Sequence, residues 1–189
     1  MKTLQNNPLK VVLSLILATI LWTACGQTKD SNHLTTANKL EMDLNTAVIT
    51  DNLAIVRQHL EAGTDINAKE PFSGSTALIT AATFGKTEIA RILIDAGADL
   101  TITNNDGSTP LHAAAFFCRP EIVQMLIDAH ADKTLKNNFG ATPRETVLGP
   151  FSEIQPVYKM MQQQLEPMGL QLDLKQLEKT RPVIAMMLQ

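Results

Sequence analysis

From about Asp43 onward, apolar residues fall into two kinds of run that alternate along the chain. One is short and rich in alanine: Ala81-Ala82, then Ala113-Ala114-Ala115. The other is longer and carries branched side chains at helical spacing: Ile89, Ala90, Ile92, Leu93 and Ile94, matched by Ile122, Val123, Met125, Leu126 and Ile127. Polar, turn-rich stretches separate the runs, and these stretches repeat as well. Gly74-Ser75-Thr76-Ala77-Leu78 returns as Gly107-Ser108-Thr109-Pro110-Leu111 and as Gly140-Ala141-Thr142-Pro143-Arg144, both at steps of 33 residues. Gly63-Thr64-Asp65 returns as Gly97-Ala98-Asp99 and His130-Ala131-Asp132, at steps of 34 and 33. A fixed period of this size predicts supersecondary units that bury their apolar faces only by stacking.

Each unit reads as two helices and a protruding turn. Thr109 can cap the first helix with its hydroxyl, and Pro110 suits the first helical position. Leu111, Ala114 and Ala115 give that helix a small apolar face, which lets neighbouring helices approach. Pro120 and Glu121 suit the start of the second helix. In the preceding unit Gly97 ends the second helix in the left-handed conformation, which glycine takes without cost. At the equivalent position His130 is expected to be strained by about 1 kcal/mol. Asn104-Asn105-Asp106-Gly107 is a strong turn signal and predicts a hairpin between units. Glu70-Pro71-Phe72-Ser73 carries one extra residue, which predicts a longer fingertip there.

These residues and this period resemble the ankyrin repeat. The best copy runs Thr109-Pro110-Leu111-His112-Ala113-Ala114-Ala115, then Glu121-Ile122-Val123, Leu126 and Ala131-Asp132. The resemblance implies an all-α solenoid of helix-turn-helix repeats with short β-hairpin loops, about four repeats over residues 43–165. The first repeat, about 43–69, has a degraded first helix. The fourth, about 138–165, keeps Gly140-Ala141-Thr142-Pro143 and then loses the pattern. Terminal repeats diverge because they present a polar outer face. Residues 166–189 carry Leu170, Leu172, Leu174, Leu177 and an apolar stretch from Val183 to Leu188. They are expected to fold back as short helices, broken at Pro182, and to cap the stack. The resemblance also makes His112 a structural residue that bonds backbone in the neighbouring loop.

In ankyrin-like stacks, partners bind at hairpin tips and the exposed face of the first helices. The corresponding tip positions are Lys69, Glu70 and Phe72, then Thr103, Asn105 and Asp106, then Asn137, Asn138 and Phe139. Helix-face positions include Ile49, Thr50, Thr83, Phe84, Phe116 and Phe117. Five of the six Phe residues fall in this set. An aromatic cluster on a concave face is a natural hot spot for a protein partner. The same rings could equally fill space under a hairpin, and the sequence leaves both readings open.

The N-terminal segment follows a different pattern. Lys2 and Lys10 precede an apolar run from Val11 to Leu21, too short to span a bilayer comfortably. A basic start, a short apolar segment and small residues after it describe a secretory signal over residues 1–24. Leu21-Trp22-Thr23-Ala24-Cys25-Gly26 resembles the lipobox of bacterial lipoproteins, departing from it at Trp22, where Leu is usual. The resemblance implies lipidation at Cys25. The alternatives are an ordinary signal cut near Ala24 or an uncleaved anchor. Residues 25–42 are mostly polar and read as a flexible tether. Gly26 is not the Asp that commonly retains lipoproteins in the inner membrane. In a diderm bacterium this favours the periplasmic face of the outer membrane.

Composition narrows the function classes. Losing Lys2 and Lys10 takes 16 basic residues to 14 against 19 acidic ones, a net charge of −5. There is no basic stripe, and aromatics are scarce, so nucleic acid is not an expected partner. With Cys25 lipidated, Cys118 is left without a disulfide partner. The sequence lacks a Gly-rich phosphate loop, HExxH, CxxC and GxSxG. No metal or cofactor is expected: His130-Ala131-Asp132 reads as a turn variant and Asn104 to Gly107 lacks the alternation of a calcium loop. Three functions compete. The first is a monomeric, membrane-tethered module that binds a protein of the cell envelope. The second is a surface-exposed or secreted, host-directed protein. The third, disfavoured, is an enzyme with an unfamiliar site in the C-terminal tail, where Asp173, Lys175, Glu178 and Arg181 lie without His, Cys or Ser.

Overall fold

The computed structural model describes residues 42–189. The expected signal, Cys25 and nearly all of the expected tether lie outside the described residues. Six helices follow one another in three pairs: α1 (Leu44–Ile49) with α2 (Leu53–Glu61), α3 (Ala77–Phe84) with α4 (Thr87–Asp95), and α5 (Pro110–Phe116) with α6 (Pro120–Asp128). After them come a 3-10 turn (Glu145–Val147), α7 (Phe151–Leu165), a second 3-10 turn (Glu166–Met168) and α8 (Leu174–Met187). This is the all-α solenoid that the resemblance implies.

Caps set the register. Asp43, Thr76 and Thr109 each accept a hydrogen bond from the third amide of the helix they precede. At Thr109 the cap is reciprocal, because the His112 side chain accepts from the Thr109 amide. Helix α2 is capped in the same way by Asn52, whereas α4 and α6 start without a side-chain cap, with Glu88 and Glu121 in their first turns and Pro120 opening α6. Within each pair, one left-handed residue reverses the chain: Asp51, Gly85 and Cys118, one repeat apart. A second left-handed position closes α2, α4 and α6, and His130 occupies it with φ 62° where the earlier repeats have glycine.

The first helices α1, α3 and α5 stack side by side as an inner row, and α4, α6 and α8 form an outer row. Alanines at the inner seam (Ala47, Ala81, Ala82, Ala114, Ala115) are fully buried. They hold the rows close, while Ile89, Leu93, Ile122 and Leu126 fill the space between rows. Helix α1 has only six residues, in keeping with its weakened sequence pattern.

The C-terminal region departs from expectation in two ways. Helix α8 runs unbroken through Pro182. Leu177 and Arg181 on one side of the proline and Ile184 on the other are buried, and Pro182 itself faces solvent. The anchored face therefore carries the helix across the missing amide bond. In addition, α8 packs on α6, the neighbour in the row where α6 itself packs on α4. The turn Glu145–Val147 packs on α5 in the inner row. Together the turn and α8 stand where the two helices of a further repeat would stand, with α7 inserted between them.

Candidate hairpin-tip interface

Each tip is built by one side chain that folds its own loop. Asn104 Oδ1 accepts from the amides of Asp106 and Ser108, and Asn137 Oδ1 accepts from Phe139 and Ala141. Backbone bonds close each loop, Asn104 N to Ser108 O at 3.0 Å with Gly107 N to Asn104 O at 3.0 Å, and Asn137 N to Ala141 O at 3.0 Å with Gly140 N to Asn137 O at 2.9 Å. The hairpins are too short for a strand ladder, and no strand occurs among the described residues. In the first tip the closing bond runs from Glu70 N to Ser75 O at 2.9 Å, so this loop is one residue longer, as its sequence predicts. The longer side chain of Glu70 spans the added residue and accepts from the amides of Phe72, Ser73 and Ser75 and from the Ser73 hydroxyl. Partial burial opposes ionisation of Glu70, but those donors outweigh it and hold its carboxyl below the usual range.

The tips are also bonded to one another. Asn105 donates through its amide to Ser73 O at 2.8 Å and through its side chain to Phe72 O at 2.9 Å. One repeat later, Asn138 donates in the same two ways to Asp106 O at 2.9 Å and Asn105 O at 3.0 Å. Asn105, Asn137 and Asn138, all expected to face a partner, are thus engaged in holding the tips. This pairing was readable in the sequence only as the 33-residue step from Phe72 to Asn105 to Asn138.

Two large rings project from this bonded comb. Phe72 is 90% exposed and Phe139 is 79% exposed, on the first and third tips. Lys69 and Asp106 are exposed beside them, and Thr103 is half-buried.

The expected helix-face residues behave differently. Phe117 is 4% exposed and belongs to the core, so it does not stand on a binding face. It follows α5 directly, as the C-cap residue. Phe84, one repeat earlier, stays half-buried. Thr83 turns its hydroxyl to Ile79 O, and its carbonyl accepts from Arg119. Phe116 is half-buried under Tyr158, with ring centroids 4.7 Å apart, and meets Phe117 edge to face at 5.1 Å. The sequence reading missed Tyr158 and named Arg181 only as a charged residue of the tail. Tyr158 is the single tyrosine of the chain, fully buried, and Arg181 is a buried cation.

The residues with chemical potential are occupied structurally. His112 is buried; its Nδ1 faces Thr109, and its Nε2 lies 3.0 Å from Ala141 O in the next loop. Burial pushes its pKa down despite the bond to Ala141 O. Burial likewise pushes the Cys118 thiol up to about 11, away from a reactive thiolate. Among the described residues no group of His, Cys, Asp and Glu is placed to hold a metal ion. An open groove of about 480 Å³ lies at the C-terminal end, lined by Arg144, Leu148, Phe151, Pro182 and Met186 among others.

Comparison with known proteins agrees with this architecture. Residues 44–137 match the family model for ankyrin repeats, in three copies. No curated protein matches the sequence. Among solved structures, the chain is similar to the ankyrin repeat domain of Bcl-3, described as a unique member of the IkappaB protein family. The identity is 32% and the TM-score 0.53, over 55% of this chain and 45% of that one. The chain thus spans less than half of that structure. Residues 44–137 of this chain are therefore ankyrin repeats, and such repeats indicate a protein–protein interaction module.

Proposed function

We propose that this chain is a membrane-tethered binding module of the bacterial cell envelope, held by lipid on Cys25 and binding one protein partner through its hairpin tips. The observation that carries the tip assignment is the pair of exposed rings, Phe72 and Phe139, on loops locked to each other by Asn105 and Asn138. Burying a phenylalanine side chain contributes roughly 1.5–3 kcal/mol. Two rings presented on a preordered frame are a strong anchor, because little loop entropy remains to be lost on binding. The half-buried Phe84 and the exposed Lys69 and Asp106 complete the surface. No catalytic role is proposed, since His112 and Cys118 are both held within the stack.

The tether rests on the sequence alone: the basic start, the apolar run and Thr23-Ala24-Cys25-Gly26. Gly26 directs the proposal to the periplasmic face of the outer membrane in a diderm host. One experiment tests both parts. The full chain, a Cys25→Ser variant and a Phe72→Ala, Phe139→Ala variant are expressed with an alkyne fatty acid, and envelopes are solubilised in detergent for pull-down. The expected result is label on the wild type and the tip variant, none on Cys25→Ser, and a partner recovered with wild type and lost with the folded tip variant. Label that persists in Cys25→Ser overturns the lipid anchor. A partner retained by the tip variant overturns the tip assignment.

A further inference from the structure

Helix α7 is a detour from the stack. The turn Glu145–Val147 packs on α5 and α8, and α8 packs on α6, so the end of the stack is closed by elements on either side of it. Helix α7 buries one side chain fully, Tyr158. Its other apolar contacts, including Phe151, Ile154, Met161 and Leu165, are only half-buried. Pro156 lies inside the helix and removes one of its backbone bonds. The segment is bounded by Gly149 at φ 83° and Gly169 at φ 91°.

Tyr158 makes two hydrogen bonds. Its hydroxyl donates to Phe116 O at 2.7 Å and accepts from Arg181 Nη1 at 3.1 Å. A buried cation that depended on Tyr158 would weld α7 to the stack, because leaving such a charge unpaired is costly. Arg181 does not depend on it. The same guanidinium donates to Thr146 O at 3.3 Å and Leu148 O at 2.9 Å, both outside α7. Withdrawing Tyr158 leaves the cation with two acceptors and opens the Phe116 carbonyl to water.

We propose that α7 is a strap, latched by Tyr158, that leaves the stack as a unit and uncovers the Phe116 end of the inner row while the repeats stay folded. A partner that reaches Phe116 must displace the strap's own aromatic ring, so the strap is a built-in competitor for that end of the helix face. That consequence rests on the protein-binding reading; the opening itself does not.

Segment-resolved hydrogen exchange on the full chain tests the opening without any partner. Amides of residues 151–165 are expected to be protected at least ten-fold less than those of α6 and α8, although α8 follows later in the chain. Tyr158→Ala is expected to lower protection of 151–165 by a further ten-fold or more, with α6 and α8 changing by less than about three-fold. Tyr158→Phe, which keeps the ring and loses the hydroxyl, should fall between. Equal protection of α7 and α8 in the wild type overturns the proposal, as does loss of protection in α6 and α8 together with α7 in Tyr158→Phe. Should Tyr158→Ala fail to fold, the wild-type comparison and Tyr158→Phe decide.

Discussion

Gly107→Ala and Gly140→Ala are chemically identical changes at equivalent positions, and they should differ in cost by a calculable amount. Both glycines are left-handed, at φ 71° and φ 76°. An alanine there loses roughly 1–2 kcal/mol to the clash of its own Cβ with backbone. At Gly140 nothing stands within 4 Å of the added methyl. At Gly107 the methyl would press on the Asn138 side chain and, at 2.9 Å, on the Asn138 amide nitrogen. Backbone cannot step aside as a flexible side chain can. Relieving this overlap should displace the third tip, at a further cost of about 1–3 kcal/mol. The Asn138 bonds to Asp106 O and Asn105 O would be stretched with it. Urea unfolding followed by circular dichroism measures the difference directly. Gly140→Ala should lower stability by about 1–2 kcal/mol and Gly107→Ala by about 2–5 kcal/mol, with the slope against urea unchanged. At Gly74 the added methyl would meet chiefly the Asn105 side chain, with the Asn105 amide nitrogen at 3.3 Å, so Gly74→Ala should fall between the two. Equal losses at Gly107 and Gly140 would refute the claim that the tips are packed against each other.

His130→Gly should raise stability by roughly 0.5–1 kcal/mol, the left-handed penalty relieved less the extra chain entropy of glycine, read from the urea midpoint. Phe72→Ala and Phe139→Ala should each change stability by less than about 0.5 kcal/mol because the rings are exposed, whereas Phe117→Ala should cost about 3–5 kcal/mol by opening a core cavity; a scan of melting midpoints separates the two. Burial depresses the folded pKa of His112 below its unfolded value near 6.5, so its neutral form is favoured by folding. That contribution is fully present above the unfolded pKa and is lost as pH falls from there towards the folded pKa. Stability measured between pH 7.5 and pH 5 should therefore fall more steeply in wild type than in His112→Gln.

Legibility in the sequence followed the repeat. The 33-residue step exposed the helix pairs, the capping threonines, the left-handed position at His130 and the longer first tip, because each arises from interactions within one repeat or between identical neighbours. The His112 bond to the next loop came from the family resemblance and is present at Ala141 O. What the pattern could not show depends on contacts without a period. Phe84 and Phe117 look equivalent by spacing, yet only Phe117 is sealed into the core, since what covers each ring differs along the stack. Asn105 and Asn138 look like exposed polar tip residues until their partners one repeat away are seen. Pro182 reads as a helix break, and burial on both sides of it overrules that local preference. Tyr158 and Arg181 meet through a fold-back with no repeat to announce it.

The detour through residues 148–173 also fixes an order of events. Helices α1 to α6 assemble from neighbours in sequence, and each pair can settle on the one before it as the chain emerges. The last wall cannot, because α8 must travel past the whole of α7 before it reaches α6. A chain cut anywhere within residues 148–173 would keep all three helix pairs and yet leave the outer flank of α6 open to water. The final stretch, expected from its apolar pattern to cap the stack, is the piece on which closure of the molecule waits.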